Sequence, residues 1–381
     1  MEIIIYIFVS IAIISLQAIT PFVIRKSECF GVNVGERANR NAELTQLKKQ
    51  YVGQVILWTS FVAIIGIALI QGFHSSENTQ AGIFIASMFS QLIVSFIIYY
   101  RFHHTTLQWK RDKIEAGEIS TNSIIMVDTS FHRRKMVISY TWFIVPLLIF
   151  IITLAITVVF YSTAPVDFPI HFDMSGTVTD TVAKSPRVVL LLPMMQLGMI
   201  ALFIFINFVI ARSKQTVENE NPTNSLKRNM LFRQISSKAM LIMCTIMVID
   251  FLIMQVVTLL ALPAEWMMVT MIISVVLILF GTVLLAVKVG QGGSRLKFAD
   301  QPDGVNKPIR DDDSFWKAGV IYFNRNDPAL FVEKRFGIGW TINTARPVAW
   351  LSFVIIIAVI ILISIFVLTC PQAGIYYMVC G

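Results

Sequence analysis

VISYTWFIVPLLIFIITLAITVVFY, residues Val137–Tyr161, contains no Lys, Arg, Asp or Glu and lies just after the basic cluster His132-Arg133-Arg134-Lys135. A helix needs about 20 mainly apolar residues to cross the hydrocarbon core of a bilayer. This stretch has that length, and the cluster before it stops the chain at a headgroup layer. Seven further segments read the same way: Ile3–Ile24, Val52–Phe73, Gly82–Phe102, Val188–Ala211, Ala239–Leu262, Trp266–Val287 and Val348–Leu368. The fold expected is therefore an all-α polytopic membrane protein of about eight transmembrane helices, with short interfacial elements in its loops.

The loops alternate in charge. Residues 25–51 carry six Lys and Arg, the connection 101–136 seven, 212–238 six and 288–347 ten, whereas 74–81 and 263–265 carry none and 162–187 only two. Because basic residues resist translocation, this pattern puts every basic loop in the cytoplasm and both termini outside. The net charge of +8 is thereby accounted for by anionic lipid headgroups at the inner face, and no nucleic-acid partner is expected. Met1-Glu2 followed at once by a long apolar run lacks the basic start and cleavage site of a signal peptide, so the first helix is read as retained.

Four organisational parts follow. Residues 1–136 form an N-terminal three-helix part with basic loops. Residues 137–290 hold four spans with an outer cap at 162–187. Residues 291–347 join a Gly-, Pro- and charge-rich connector to an aromatic interfacial segment, and 348–381 give the last span and an outer tail. Within the aromatic segment, Asn326-Asp327-Pro328 reads as a turn, and Ala329–Phe336 reads as an amphipathic helix ended by Gly337 and Gly339. Loop 103–136 reads as an interfacial helix or hairpin. Its histidines His103, His104 and His132 are expected at the interface, since an adjacent His-His pair does not converge on one ion.

The cap has the most specific sequence, APVDFPIHFDMSGTVTDTVAKSPRVVLLL at Ala164–Leu192. Pro165 and Pro169 force an extended chain. On it His171 and Asp173 point one way while Ile170 and Phe172 point the other. Ser175-Gly176 supplies a turn, Asp180 and Lys184 follow, and Pro186 starts the next helix. His171, Asp173, Asp180 and Lys184 can then hydrogen-bond one another as a solvent-side ligand or signalling cap around Gly176; a His/Asp/Asp metal site or an acid–base pair is the sharper alternative.

Asp250 is the one charge in the middle of a span, and a carboxylate there costs about 2.5–3.5 kcal/mol on insertion scales. It is expected to face the bundle interior, bonded to Asn207 or Gln255, as either an interhelical hydrogen bond or a proton or cation relay. Cys370 and Cys380, in the outer tail TCPQAGIYYMVCG, are expected to form a disulfide, and Cys29 and Cys244 to be packing residues. No zinc spacing and no nucleophile–base constellation is present in the sequence. We therefore expect no cofactor and no enzymatic activity.

The pattern P-x3-P-I-H-F-D-x2-G-x3-D-x3-K-S-P resembles the SdpI-like membrane proteins of Gram-positive bacteria over about Trp142–Phe208. The matching positions are Pro169, His171, Phe172, Asp173, Gly176, Asp180, Lys184 and Pro193. The segment Tyr322–Trp350, with Asn-x2-Asp-Pro, Gly-x-Gly-Trp and Asn-x2-Arg-Pro, is similar to a second uncharacterised bacterial domain. The resemblance implies immunity against a secreted toxic peptide. It also implies signal transduction by sequestering a transcriptional repressor, giving a secreted peptide ligand and a cytoplasmic regulator as expected partners. This chain departs from the family in its number of spans and in its added N-terminal part. From the residues alone, a solute or proton-coupled ion transporter built on Asp250 stays open beside this reading.

Overall fold

A computed structural model describes residues 2–72, 77–122, 135–172, 178–215, 222–296 and 309–351, with 354, 357, 358 and 361 beyond them. In chain order the elements are α1 (Glu2–Val23), β1 (Glu28–Cys29), β2 (Val32–Asn33), α2 (Ala42–Gly72), α3 (Glu77–Glu115) and β3 (Thr121–Asn122), then α4 (Ile144–Val159), β4 (Asp167–Phe172), β5 (Val178–Ala183), α5 (Pro186–Val189) and α6 (Leu191–Arg212). There follow α7 (Pro222–Leu259), α8 (Glu265–Lys288), β6 (Ile309–Arg310), β7 (Trp316–Lys317), β8 (Ile321–Tyr322), β9 (Phe331–Glu333) and β10 (Trp340–Ile342). Among the described residues seven helices are long and apolar enough to span a bilayer, and the polytopic all-α architecture holds. The eighth expected span, Val348–Leu368, lies largely outside the described residues, as do Cys370 and Cys380.

The chain divides into two compact units. One comprises Met1–Arg134, Ser213–Phe232 and Ala286–Arg346; the other comprises Lys135–Arg212, Arg233–Leu285 and Pro347–Gly381.

In the first unit α2 packs along α3, and α1 packs on α2. Lipid offers no hydrophobic drive between helices, so close backbone approach and hydrogen bonds must hold them. Gly66 supplies the approach: a Cβ there would collide with the Tyr6 hydroxyl and come within 2.7 Å of Ser87 Oγ. The Tyr6 hydroxyl donates to Ala63 O at 3.0 Å and is hydrogen-bonded to Ser87, while Gln91 Nε2 donates to Ser10 Oγ at 3.3 Å.

Two helices run well past their apolar segments. α3 continues through His103 to Glu115, and α7 begins at Pro222. Residues 103–115 are thus a helical extension of a span, where a separate interfacial helix or hairpin was expected. A membrane helix ends only when its backbone finds other partners, and here the protruding turns bury side chains. Below the spans a core forms around Cys29, Phe30, Val32, Leu44, Tyr51, Tyr99 and Phe102. The His103 ring is paired through Nδ1 with Phe30 O at 2.7 Å.

The segment expected to be an amphipathic helix at 329–336 is instead an antiparallel hairpin, with Trp340 opposite Glu333 and Ile342 opposite Phe331. The reason is charge placement. Glu333 at the end of β9 and Arg335 in the turn after it are both buried with partners, and residues two apart lie on different faces of a helix. Gly337 and Gly339, at φ +90° and +108°, occupy the left-handed region that this turn requires. The connector is also structured where it is described. Buried Gln291 donates to Gly339 O at 3.0 Å and accepts from Gly339 N at 2.8 Å.

In the second unit α4 packs on α6 around Phe143, Ile200, Phe203, Cys244 and Val248. A column of buried polar groups threads this apolar interior. Gln196 Nε2 donates to Thr153 Oγ1 at 3.1 Å and Val248 O at 2.9 Å, and Gln255 Nε2 donates to Thr157 Oγ1 and Val189 O, each at 3.0 Å. Ser237 donates to the Asn207 amide oxygen. These bonds stitch α4, α5, α6 and α7 together where no water competes.

Candidate functional site

The cap is built from the extended chain that its prolines demand. β4 and β5 pair antiparallel, with Asp167 opposite Ala183, Phe168 opposite Val182 and His171 opposite Asp180, and the register shifts on either side of His171. Phe168 and Val182 are buried among Ala164, Val188, Val189 and Leu259. That seam fastens the hairpin to the helix ends. The outward part of β5, Val178 through Thr181, is exposed. Ser185 caps α5 by accepting from Val188 N at 3.4 Å, with Pro186 at the first helical position, where a missing N–H costs nothing.

Lys184 is engaged in the cap's own structure. Its Nζ donates to Ala164 O at 2.8 Å and Ser162 O at 3.4 Å and lies 5.5 Å from the Tyr161 ring centre. The described bonds of Lys184 thus run to backbone carbonyls of the preceding turn. Asp180 sits exposed on β5. Asp173 and Gly176 fall outside the described residues. Asp250 accepts a hydrogen bond from Ser274 of α8 rather than from Asn207 or Gln255. Two residues from buried Val248, it faces away from the polar column, since two positions turn a helix by about 200°.

A second site was not legible as one. In the first unit Arg335, 4% exposed, is hydrogen-bonded to Asp312 and Asp313, lies 3.8 Å from Glu28 Oε1, and stacks 5.2 Å from the Trp316 ring. Lys110 of α3, buried, reaches Asp311 at 3.0 Å and Asp313 at 2.5 Å, and Arg25 pairs with Glu333. Beside this, Lys214 binds Asp327 at 2.6 Å, and the Tyr322 hydroxyl donates to Asp327 at 2.7 Å. Buried Asn343 donates to the carbonyls of Asn324, Asp327 and Ala329 at 2.9–3.2 Å and accepts from Asn324 N at 3.0 Å.

The electrostatics follow from burial. Burial pushes the Glu28 carboxyl up to about 7 against the pull of Arg335 and Arg25. For Asp313 burial also acts upward, but Arg335 and Lys110 prevail and hold it below the ordinary carboxylate range. Arg335 is held above its usual range despite its burial, because Asp312, Glu28 and Asp313 surround it. The sequence signal for this cluster was the run Asp311-Asp312-Asp313 followed by aromatic residues. Which distant cations would answer it could not be read. Among the described residues no group of three or more His, Cys, Asp or Glu side chains is arranged to hold a metal ion.

Two family models match, each over a short part of the chain and each on one of these sites. A domain of unknown function (DUF1648) matches residues 148–197, spanning most of α4, the cap and the start of α6. A family of unknown function (DUF5808) matches residues 325–350, taking in Asp327, the β9–β10 hairpin and Asn343. No curated protein matches the chain, and no solved structure does.

Proposed function

We propose that this integral membrane protein is a non-enzymatic receptor of the immunity or envelope-signalling type, recognising an exported peptide at the cap and reporting through the charged module around Arg335. The observation that carries this reading is the β4–β5 hairpin: its underside is pinned by Phe168 and Val182, while β5 stays exposed from Val178 to Thr181. A two-stranded sheet leaves backbone donors and acceptors on its outer edges, and an extended peptide can add a strand there. The alternation of basic and charge-free loops supports a cap on the outer side and basic segments in the cytoplasm. The resemblance of the cap to SdpI-like immunity proteins supports the same reading.

One observation favours a transporter instead. Asp250 is hydrogen-bonded to Ser274 between two spans, and among the described residues the buried amide oxygens of Gln196 and Gln255 have no hydrogen-bond partner, polar groups that a hydrated path would satisfy. The two readings rank variants oppositely. For a receptor, His171→Ala and Asp173→Ala abolish peptide protection or signalling at unchanged protein level, and Asp250→Asn is mild. A severe Asp250→Asn defect in ion-coupled flux beside a harmless His171→Ala would overturn the receptor reading.

A further inference from the structure

The first unit contains a cavity of about 530 Å³ with a mixed lining. Its apolar part is formed by Pro21, Phe22 and Ile24 at the end of α1 and by Val287 at the end of α8. Its cationic part is Lys26, Arg40, Lys48, Lys288 and Arg295. Glu36 is shared by Arg40 at 2.6 Å and Lys26 at 3.9 Å. Among the described residues no carboxylate pairs with Lys48, Lys288 or Arg295. Lys48 is held by Asn39 Oδ1 at 2.7 Å. Arg295 donates from Nη1 to Val287 O, at 2.9 Å, and from Nη2 to Phe22 O, two of its five N–H groups. Those two bonds tie both helix ends together and hold the guanidinium in the cavity lining.

The depth of this cavity is set by the chain itself. The apolar run of α1 ends at Ile24, that of α8 ends at Val287, and that of α2 begins at Val52, one turn beyond Lys48. Phe22, Ile24, Lys48, Val287 and Lys288 of the lining are thus residues near which three spans pass from hydrocarbon to headgroup. Lys48, Lys288 and Arg295, placed beside the exposed side chains of Phe22 and Val287 at that level, suit a ligand with an anionic head and an acyl tail.

We infer that this cavity is a binding site for an anionic phospholipid, its phosphate held by Lys288, Lys48 and Arg295 and its proximal acyl chain laid against Phe22 and Val287. The inference stands apart from the proposed receptor role. The test titrates the purified full-length protein in dodecyl maltoside with dioleoylphosphatidylglycerol, dioleoylphosphatidylcholine or glycerol 3-phosphate, reading tryptophan fluorescence. Phosphatidylglycerol should bind saturably, and the other two should bind at least tenfold more weakly. Lys288→Glu on the exposed end of α8, together with Lys26→Glu in the same lining, should weaken phosphatidylglycerol binding by about tenfold or more, at roughly 1 kcal/mol per surface cation. Lys227→Glu, outside the cavity, should change it by less than about twofold. If the double variant does not fold, Lys288→Gln alone should weaken binding by about fivefold. Glycerol 3-phosphate binding as tightly as the lipid would make this a soluble-phosphate site, and equal binding of phosphatidylcholine would make it an apolar crevice. An equal loss in Lys227→Glu would reduce the effect to diffuse surface attraction. Any of the three overturns the inference.

Discussion

The β4–β5 cap and the module around Arg335 are both small β structures set beside helix ends, yet they are held by opposite means. The cap hangs on one apolar seam and on Lys184 donating to backbone carbonyls, and it leaves Val178 to Thr181 of β5 exposed. The module buries Arg335, Arg25, Glu28, Asp312 and Glu333 together and satisfies Asn343 on all sides. Buried ion pairs add little net stability against a packed apolar alternative, but losing one partner strands the other charge. The cap should therefore tolerate change at its exposed face, and the module should not. A receptor needs this division: a surface free to meet a ligand, and a reporter with a single arrangement.

The comparison breaks most readily at Arg335. Arg335→Ala should destabilise the protein by about 3–5 kcal/mol, seen as a large fall in the thermal unfolding midpoint in detergent. Arg335→Lys should fall in between, because an ammonium cannot serve two carboxylates with a planar fork. An alanine variant as stable as the native protein would show that the module is a loose surface cluster.

Glu28 sharpens the comparison through pH. Its carboxyl is raised from 4.5 to about 7 by burial, so the folded state binds the proton more tightly than the unfolded chain does. The stabilising contribution is complete below about pH 4.5 and fades as the pH rises through 7. Glu28→Gln should accordingly match the native protein at pH 5 and exceed it at pH 8 by on the order of 1–3 kcal/mol. Parallel unfolding midpoints across that range would remove Glu28 from the account.

The smallest effect belongs to the cap. Asp180→Ala, on the exposed strand, should move the unfolding midpoint by no more than about 0.5 kcal/mol equivalent, while the same protein loses ligand response. A stability loss rivalling that of Arg335→Ala would mean that the cap, too, is a load-carrying polar network.

Hydropathy alone identified the seven described spans because a chain in lipid must satisfy its backbone hydrogen bonds within each segment, which makes the span a local property. The extended entry to the cap was equally local, set by Pro165 and Pro169, as was the helix start at Ser185-Pro186. The hairpin at Phe331–Ile342 was not, because ALFVEKRF suits a helix face as well as a strand. What chose the strand was Arg25, some 300 residues away, waiting for Glu333. Arg335 likewise took its place from Asp312, Asp313 and Glu28, and Asp250 turned to Ser274 instead of the polar column. Where apolar length decides, the sequence by itself determined this protein. Where buried charges must find partners from distant segments, only the tertiary structure decided, because the cost of an unpaired buried charge is settled by what the fold brings alongside it.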